Sequence, residues 1–206
     1  MTTTADGPRA TRLPRSQRRA QLLEAAQEVF VSHGYHAAAM DDIAERAGVS
    51  KPVLYQHFPS KLDLYLALLD AGAEELVGRM REALGSTRDN RQRVAAALDA
   101  YFAFVDDSGE AFRLLFETDL FNQPPVRERV ERTDDACAAL LVDVIAEDTG
   151  LGTEESTLLA FGLIGIAQTT ALRWLRTDDA MSREQATQLV SRMAWRGISS
   201  FPTVRH

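Results

Sequence analysis

The chain has 206 residues, 45% hydrophobic and 26% charged, so it is long enough to bury a core and its composition excludes a collagen-like or wholly disordered protein. A single cysteine, Cys137, excludes an intrachain disulfide and fits a reducing compartment. A net charge of -7 spread evenly would oppose nucleic acid, but it is not spread evenly. The first 19 residues hold five arginines (Arg9, Arg12, Arg15, Arg18, Arg19) against one acid, Asp6, and the acidic excess lies beyond residue 62. This asymmetry predicts a nucleic-acid end and a body with another task. No secretory signal is expected, and the longest strongly apolar run, Leu158 to Ala167, is shorter than the ~20 residues a membrane span needs.

In chain order, residues 1–14 lack periodicity and read as a disordered basic arm. Ser16 is a candidate N-cap for a first helix whose apolar face carries Leu22, Ala26, Val29, Phe30 and His33, with Gly34 as its stop. A short helix over residues 41–47 follows, with Asp41 and Asp42 in its first turn, where acids favour the positive dipole end. Gly48 breaks it. Ser50 can cap the next helix, Pro52 sits in its first turn, and the helix runs to about Phe58. Ser60 can then cap a longer helix from Lys61. Beyond it the apolar spacing predicts further helices around residues 94–105, 111–117, 137–145, 159–174 and 186–194, separated by Gly, Pro and Ser clusters. No period-two strand appears. The expectation is an all-α fold of about nine helices. The expected division is an arm (1–14), a three-helix DNA-binding domain (15–60) and a helical effector-binding and dimerisation domain (61–206).

Residues 41–58 carry the function. Two short helices joined by a glycine turn fit a helix-turn-helix. Ile43, Ala44, Ala47, Val49, Leu54 and Phe58 would hold the helices together. The second helix is left presenting Ser50, Lys51, Pro52, Val53, Tyr55, Gln56 and His57, which offer hydrogen-bond donors, an apolar contact for a thymine methyl, and hydroxyls for phosphate.

The stretches Ala20-Gln-Leu-Leu-Glu-Ala-Ala-Gln-Glu-Val-Phe30, His33-Gly-Tyr35 and Met40-Asp-Asp-Ile-Ala-Glu-Arg-Ala-Gly-Val-Ser-Lys-Pro-Val-Leu-Tyr-Gln-His-Phe58, followed by Ser60-Lys61, resemble the tetracycline-repressor (TetR) family of bacterial regulators. The resemblance covers about residues 16–70 and implies a homodimeric repressor. Such a protein binds a palindromic operator and is released by a small, largely apolar effector held in the C-terminal helices. It also implies that Lys51, Pro52 and Val53 read base edges. Tyr55 and His57 would contact phosphate or groove, Gln56 a base or a phosphate, and Lys61 a phosphate. Ala39 departs from the family pattern, which often places Thr or Ser there. Met40 or backbone amides, together with Arg15, Arg18 and Arg19 of the arm, would then supply the missing grip.

Other residues invite sharper readings. His33 and His36 flank Gly34 and do not share a face, so no metal site and no cofactor are expected. Cys137 lies on an apolar stripe and reads as a small hydrophobe. Phe102, Phe112, Phe116, Cys137 and Gln168 are candidate effector-pocket residues. Leu159, Gly162, Leu163, Ile166, Trp174, Leu189 and Met193 are candidates for a two-fold interface. Two rival readings are a helical protein-interaction module that does not bind DNA and a helical enzyme, the latter opposed by the lack of any catalytic motif.

Overall fold

The computed structural model describes residues 13–108, 119–177 and 181–198. Among them are eight α-helices: α1 (Arg15–Ala37), α2 (Met40–Arg46), α3 (Lys51–His57), α4 (Lys61–Gly85), α5 (Asn90–Ser108), α6 (Pro124–Thr149), α7 (Thr153–Leu175) and α8 (Arg183–Ile198), with a 3-10 turn at Asp119–Asn122. The expected helix at residues 111–117 lies outside the described residues. The chain divides into two compact units between Tyr65 and Leu66, within α4. That is five residues beyond the boundary expected at 60/61. The reason is packing: Tyr65 is buried and meets Phe30 edge-on at 5.7 Å, so the first turn of α4 belongs to the N-terminal core.

In the N-terminal unit α1 buries Leu22, Ala25, Ala26, Val29 and Phe30, an i, i+3, i+4, i+7, i+8 stripe. Its start is capped by Pro14, not Ser16, with no side-chain bond. Gly34 stops the regular helix as expected, at φ 73° and ψ 162°, a conformation open in practice to glycine alone. A final turn then continues to Ala37. Helices α2 and α3, seven residues each, are too short to persist alone and are held by burial of Ile43, Ala44, Leu54 and Phe58.

The C-terminal unit is a helical bundle. Its core joins Leu76 and Met80 of α4, Leu98, Tyr101 and Phe102 of α5, Cys137 and Leu141 of α6, Ile164 and Ala171 of α7, and Val190 of α8. Helix α7 packs chiefly on α6, and α8 on α5. By length and composition α7 could cross a membrane, its most apolar 18-residue stretch having a mean hydropathy of 1.4, more than the shorter run read from the sequence suggested. Here the buried stripe is Ser156, Ala160, Ile164, Ala167 and Ala171, and apart from Ile164 its residues are small, which lets neighbouring helices approach closely.

Candidate nucleic-acid interface

The turn between α2 and α3 is built by backbone bonds. Gly48, at φ 63°, donates to the Glu45 carbonyl at 3.0 Å, and Val49 donates to Ala44 at 3.0 Å. A φ in the left-handed region favours glycine, which has no Cβ to crowd the backbone, so this position sets the angle at which α3 leaves α2. Gln21 of α1 ties the turn down: its amide donates to the Ala47 carbonyl at 2.9 Å while its oxygen accepts from Arg18 at 2.7 Å. Arg19 lies over the Phe58 ring at 4.5 Å, and Arg46 is paired with Glu28. Both short helices are therefore fastened to α1 through its polar face as well as its apolar one.

With Leu54 buried on the inner side, α3 turns Lys51, Pro52, Tyr55 and Gln56 to solvent and leaves Val53 and His57 half-buried. Beside it runs a groove of about 650 Å³ lined by Leu13, Arg15 and Arg18 from the start of α1 and by Val53, Gln56 and His57. Burial holds the His57 imidazole below its usual pKa, and Arg15, Arg19 and Arg18 push the same way. Lys51 pairs with Asp41 at 2.7 Å, across the α2–α3 turn. The pair is exposed at both ends, so a phosphate can compete for the ammonium.

Two expected contact residues, Met40 and Lys61, are turned inward, and Ser50, though exposed, does not act as the expected cap. Met40 is buried and packs inward, because at the first position of α2 its side chain is needed to close the core. Ser50 precedes α3 in extended conformation but makes no capping bond through its side chain. Lys61 is turned back into the protein. Its ammonium donates to the carbonyls of Tyr35 at 2.7 Å, His36 at 3.2 Å and Ala38 at 2.8 Å, and sits 4.6 Å from the Tyr35 ring centre. Those carbonyls end α1, so Lys61 acts as a C-terminal cap delivered from another helix. Ala39 indeed provides no side-chain cap; the Asp42 carboxylate instead accepts the Ala39 N–H at 3.3 Å.

Residues 22–68 match the family model described as bacterial regulatory proteins, tetR family, and residues 90–197 match the one described as tetracyclin repressor-like, C-terminal domain. The chain belongs to the tetR family. The transcriptional activator FasR of Mycolicibacterium smegmatis is 47% identical over 197 residues, covering 96% of this chain and 90% of FasR. A TetR-like transcriptional regulator from Rhodococcus sp. RHA1 superposes with a TM-score of 0.73 at 28% identity, over 91% of this chain and 99% of that one. The regulator FadR of Bacillus subtilis, solved in complex with stearoyl-CoA, shares the fold at a TM-score of 0.72 and 19% identity, over 85% of this chain and 96% of its own. The protein is thus a ligand-responsive, DNA-binding transcriptional regulator. Its partners are operator DNA, a second copy of itself and a small-molecule effector.

Among the described residues of the C-terminal unit, an almost wholly apolar cavity lies among α4, α5, α6 and α7, lined by Met80, Leu98, Tyr101, Leu141 and Leu163 among others. Its volume is only about 20 Å³, room for about one water. Of the expected pocket residues, Phe102, Cys137 and Gln168 do not line it, and Phe112 and Phe116 lie outside the described residues. Phe102 packs on Trp174 at 5.8 Å between ring centres, and burial pushes the Cys137 thiol up to about 12. Asp134 is half-buried near Tyr101 and Cys137, and burial pushes its carboxyl up to about 6. Sequence spacing could not reveal the cavity, since its lining is indistinguishable from ordinary core by residue type.

The residues expected at a two-fold face divide between buried and open positions. Leu159, Leu163, Ile166 and Trp174 are partly buried against their own core. The face left open carries Leu158, 74% exposed, with Phe161, Gly162 and Gly165 beside it, and Leu189 and Met193 of α8, each more than half exposed. A solitary exposed leucine is ordinary, but here four large apolar side chains are exposed on two helices that pack together.

Proposed function

We propose that α3 enters the major groove of operator DNA, with Lys51, Val53, Tyr55 and Gln56 meeting base edges and phosphates and Pro52 packing against the groove. The groove formed by Arg15, Arg18 and His57 would then follow the adjoining phosphate backbone. The observation that carries this reading is the polar outer face of α3 set beside arginines of α1, around a tightly fastened glycine turn. The open face of Leu158, Phe161, Leu189 and Met193 supports pairing of two copies, which gives two α3 helices and hence a palindromic site. Residues 15–60 plus the first turn of α4 form the DNA-binding unit, and the rest binds effector and partner.

For the effector, the apolar lining of the cavity and the stearoyl-CoA held by the FadR neighbour support a long acyl chain. The cavity has to open to admit one, and only a ligand that binds the opened state more tightly can drive that change. The sense of regulation reads as activation of at least one promoter, on the strength of the FasR identity. The family relationship supports a binding protein acting on DNA in the cytoplasm, in preference to an enzyme. The test is a mobility shift on the DNA upstream of the gene encoding the chain, with in vitro transcription in parallel. A retarded complex that dissociates with palmitoyl-CoA but not with free palmitate at equal concentration supports the reading. Retention of the complex at saturating acyl thioester would remove the effector assignment and leave the DNA-binding assignment standing.

A further inference from the structure

Away from the cavity, α5 and α8 form a groove of about 530 Å³, within the range of small-molecule sites. Its lining is chemically different from the cavity. Arg91 of α5 and Arg192 and Arg196 of α8 bring three guanidiniums to it, Trp195 presents an indole, and Thr187 and Ser191 bring hydroxyls. Thr187 is only 6% exposed, and neither hydroxyl oxygen has a hydrogen-bond partner. Both oxygens are turned away from solvent, so a ligand in the groove would meet them after a turn of each side chain about χ1, and a buried hydroxyl left unpaired, which is costly, gains from that pairing.

The set matches a particular chemistry. Guanidiniums recognise phosphate through paired N–H donors. An indole stacks on a planar base. Asp99 and Glu184, which also line the groove, disfavour a bare polyanion and suit the hydroxyls of a sugar. We infer that this groove binds a nucleotide phosphate, through Arg91, Arg192 and Arg196 on the phosphate, Trp195 on the base and the Thr187 and Ser191 hydroxyls as further donors. The site is independent of α3 and of the acyl-chain reading. On α8 Thr187, Ser191 and Trp195 lie roughly 200° around the helix from Leu189 and Met193, whereas Arg192 and Arg196, three positions after Leu189 and Met193, border the open apolar face.

The nucleotide could be free or the head of a larger carrier, and the test separates these. The full-length protein carries two tryptophans, so Trp174→Phe leaves Trp195 as the sole indole reporter. ADP, coenzyme A, palmitoyl-CoA and inorganic phosphate are titrated against Trp195 fluorescence. Calorimetry on the unsubstituted protein serves as the second measurement should Trp174→Phe fold poorly. Saturable quenching by ADP is the expected result and assigns a free nucleotide. Saturation by the coenzyme A compounds without ADP assigns the same groove to a carrier head. Arg192→Ala is expected to weaken either by about tenfold, as for one lost charge-assisted hydrogen bond. Thr187→Val is expected to weaken binding without lowering Tm, which a merely structural hydroxyl would not do. Absence of saturable binding at millimolar ligand, a response to inorganic phosphate equal to that for ADP, or binding unchanged in Arg192→Ala would overturn the proposal. Operator retardation by the same preparations reports folding and keeps this failure distinct from failure of the DNA-binding reading.

Discussion

Replacing Lys61 by methionine separates two roles for that residue. A phosphate contact and an internal cap make opposite predictions. In the structure the ammonium donates to three carbonyls at the end of α1 and sits over Tyr35. Methionine keeps the stem and removes every donor. Charge-assisted hydrogen bonds contribute ~1.5–3 kcal/mol each when sheltered, but Lys61 is half-exposed and water can replace part of the loss. A net destabilisation of about 2 kcal/mol follows, or roughly 30-fold in the folded-to-unfolded ratio. For a chain of this size that lowers Tm by about 4–8 °C. The assay is thermal unfolding by circular dichroism beside operator titrations at several salt concentrations, below the melting range of both proteins. The slope of log K against log salt should not change, because no phosphate contact is lost. Unchanged Tm together with a slope reduced by about 0.9, the signature of one phosphate released, would refute the cap and restore the contact read from the sequence.

Three further outcomes follow from the site and the bundle. Cys137 is buried with its thiol pushed up to about 12, so it should resist iodoacetamide at pH 8 in the folded protein and react only in denaturant; stoichiometric labelling within minutes of native protein would contradict the packing. The His57 imidazole is held below its usual pKa by burial and three arginines and is neutral at pH 7.5, whereas nearby DNA phosphate would favour its charged form. Operator affinity should therefore rise as pH falls from about 7 towards 5.5, with proton uptake on binding, and His57→Gln should flatten the profile; an identical profile in that variant would show that His57 is remote from phosphate. The double variant Leu158→Glu/Leu189→Glu places two charges on the open apolar face and should run as a folded monomer in sedimentation velocity, whereas a persistent dimer would move the interface elsewhere.

The N-terminal unit was readable from the sequence because its turn and caps depend on residue types with few alternatives. Gly48 is the type that tolerates positive φ, Pro52 fits the first turn of a helix, and Ser60 does bond Asp63, its Oγ donating at 2.7 Å and accepting the Asp63 N–H at 3.1 Å. What the sequence does not reveal there is the direction of long side chains, which depends on tertiary neighbours. Met40 and Lys61 lie beside the recognition elements in sequence, yet one is drawn into the core and the other onto the carbonyls of α1. In the C-terminal unit helix periodicity located the elements but not their rotation. Leu158 and Leu159 are neighbours of one type, and only contact with α6 and α8 decides that Leu159 turns inward and Leu158 outward. The groove lined by Arg91, Arg192 and Trp195 had no signature, since its members lie about 100 residues apart and meet only where α8 packs on α5.

Hydroxyl-radical footprinting on the operator tests the placement of α3 most directly. The protein as it stands should protect two patches whose centres lie about 10–10.5 bp apart or a multiple of that spacing, the signature of paired recognition helices in successive major grooves. Lys51→Ala/Tyr55→Ala should erase both patches while leaving the melting curve in place. Full protection by that variant, or none by the unsubstituted protein at 50 mM salt, would contradict the account.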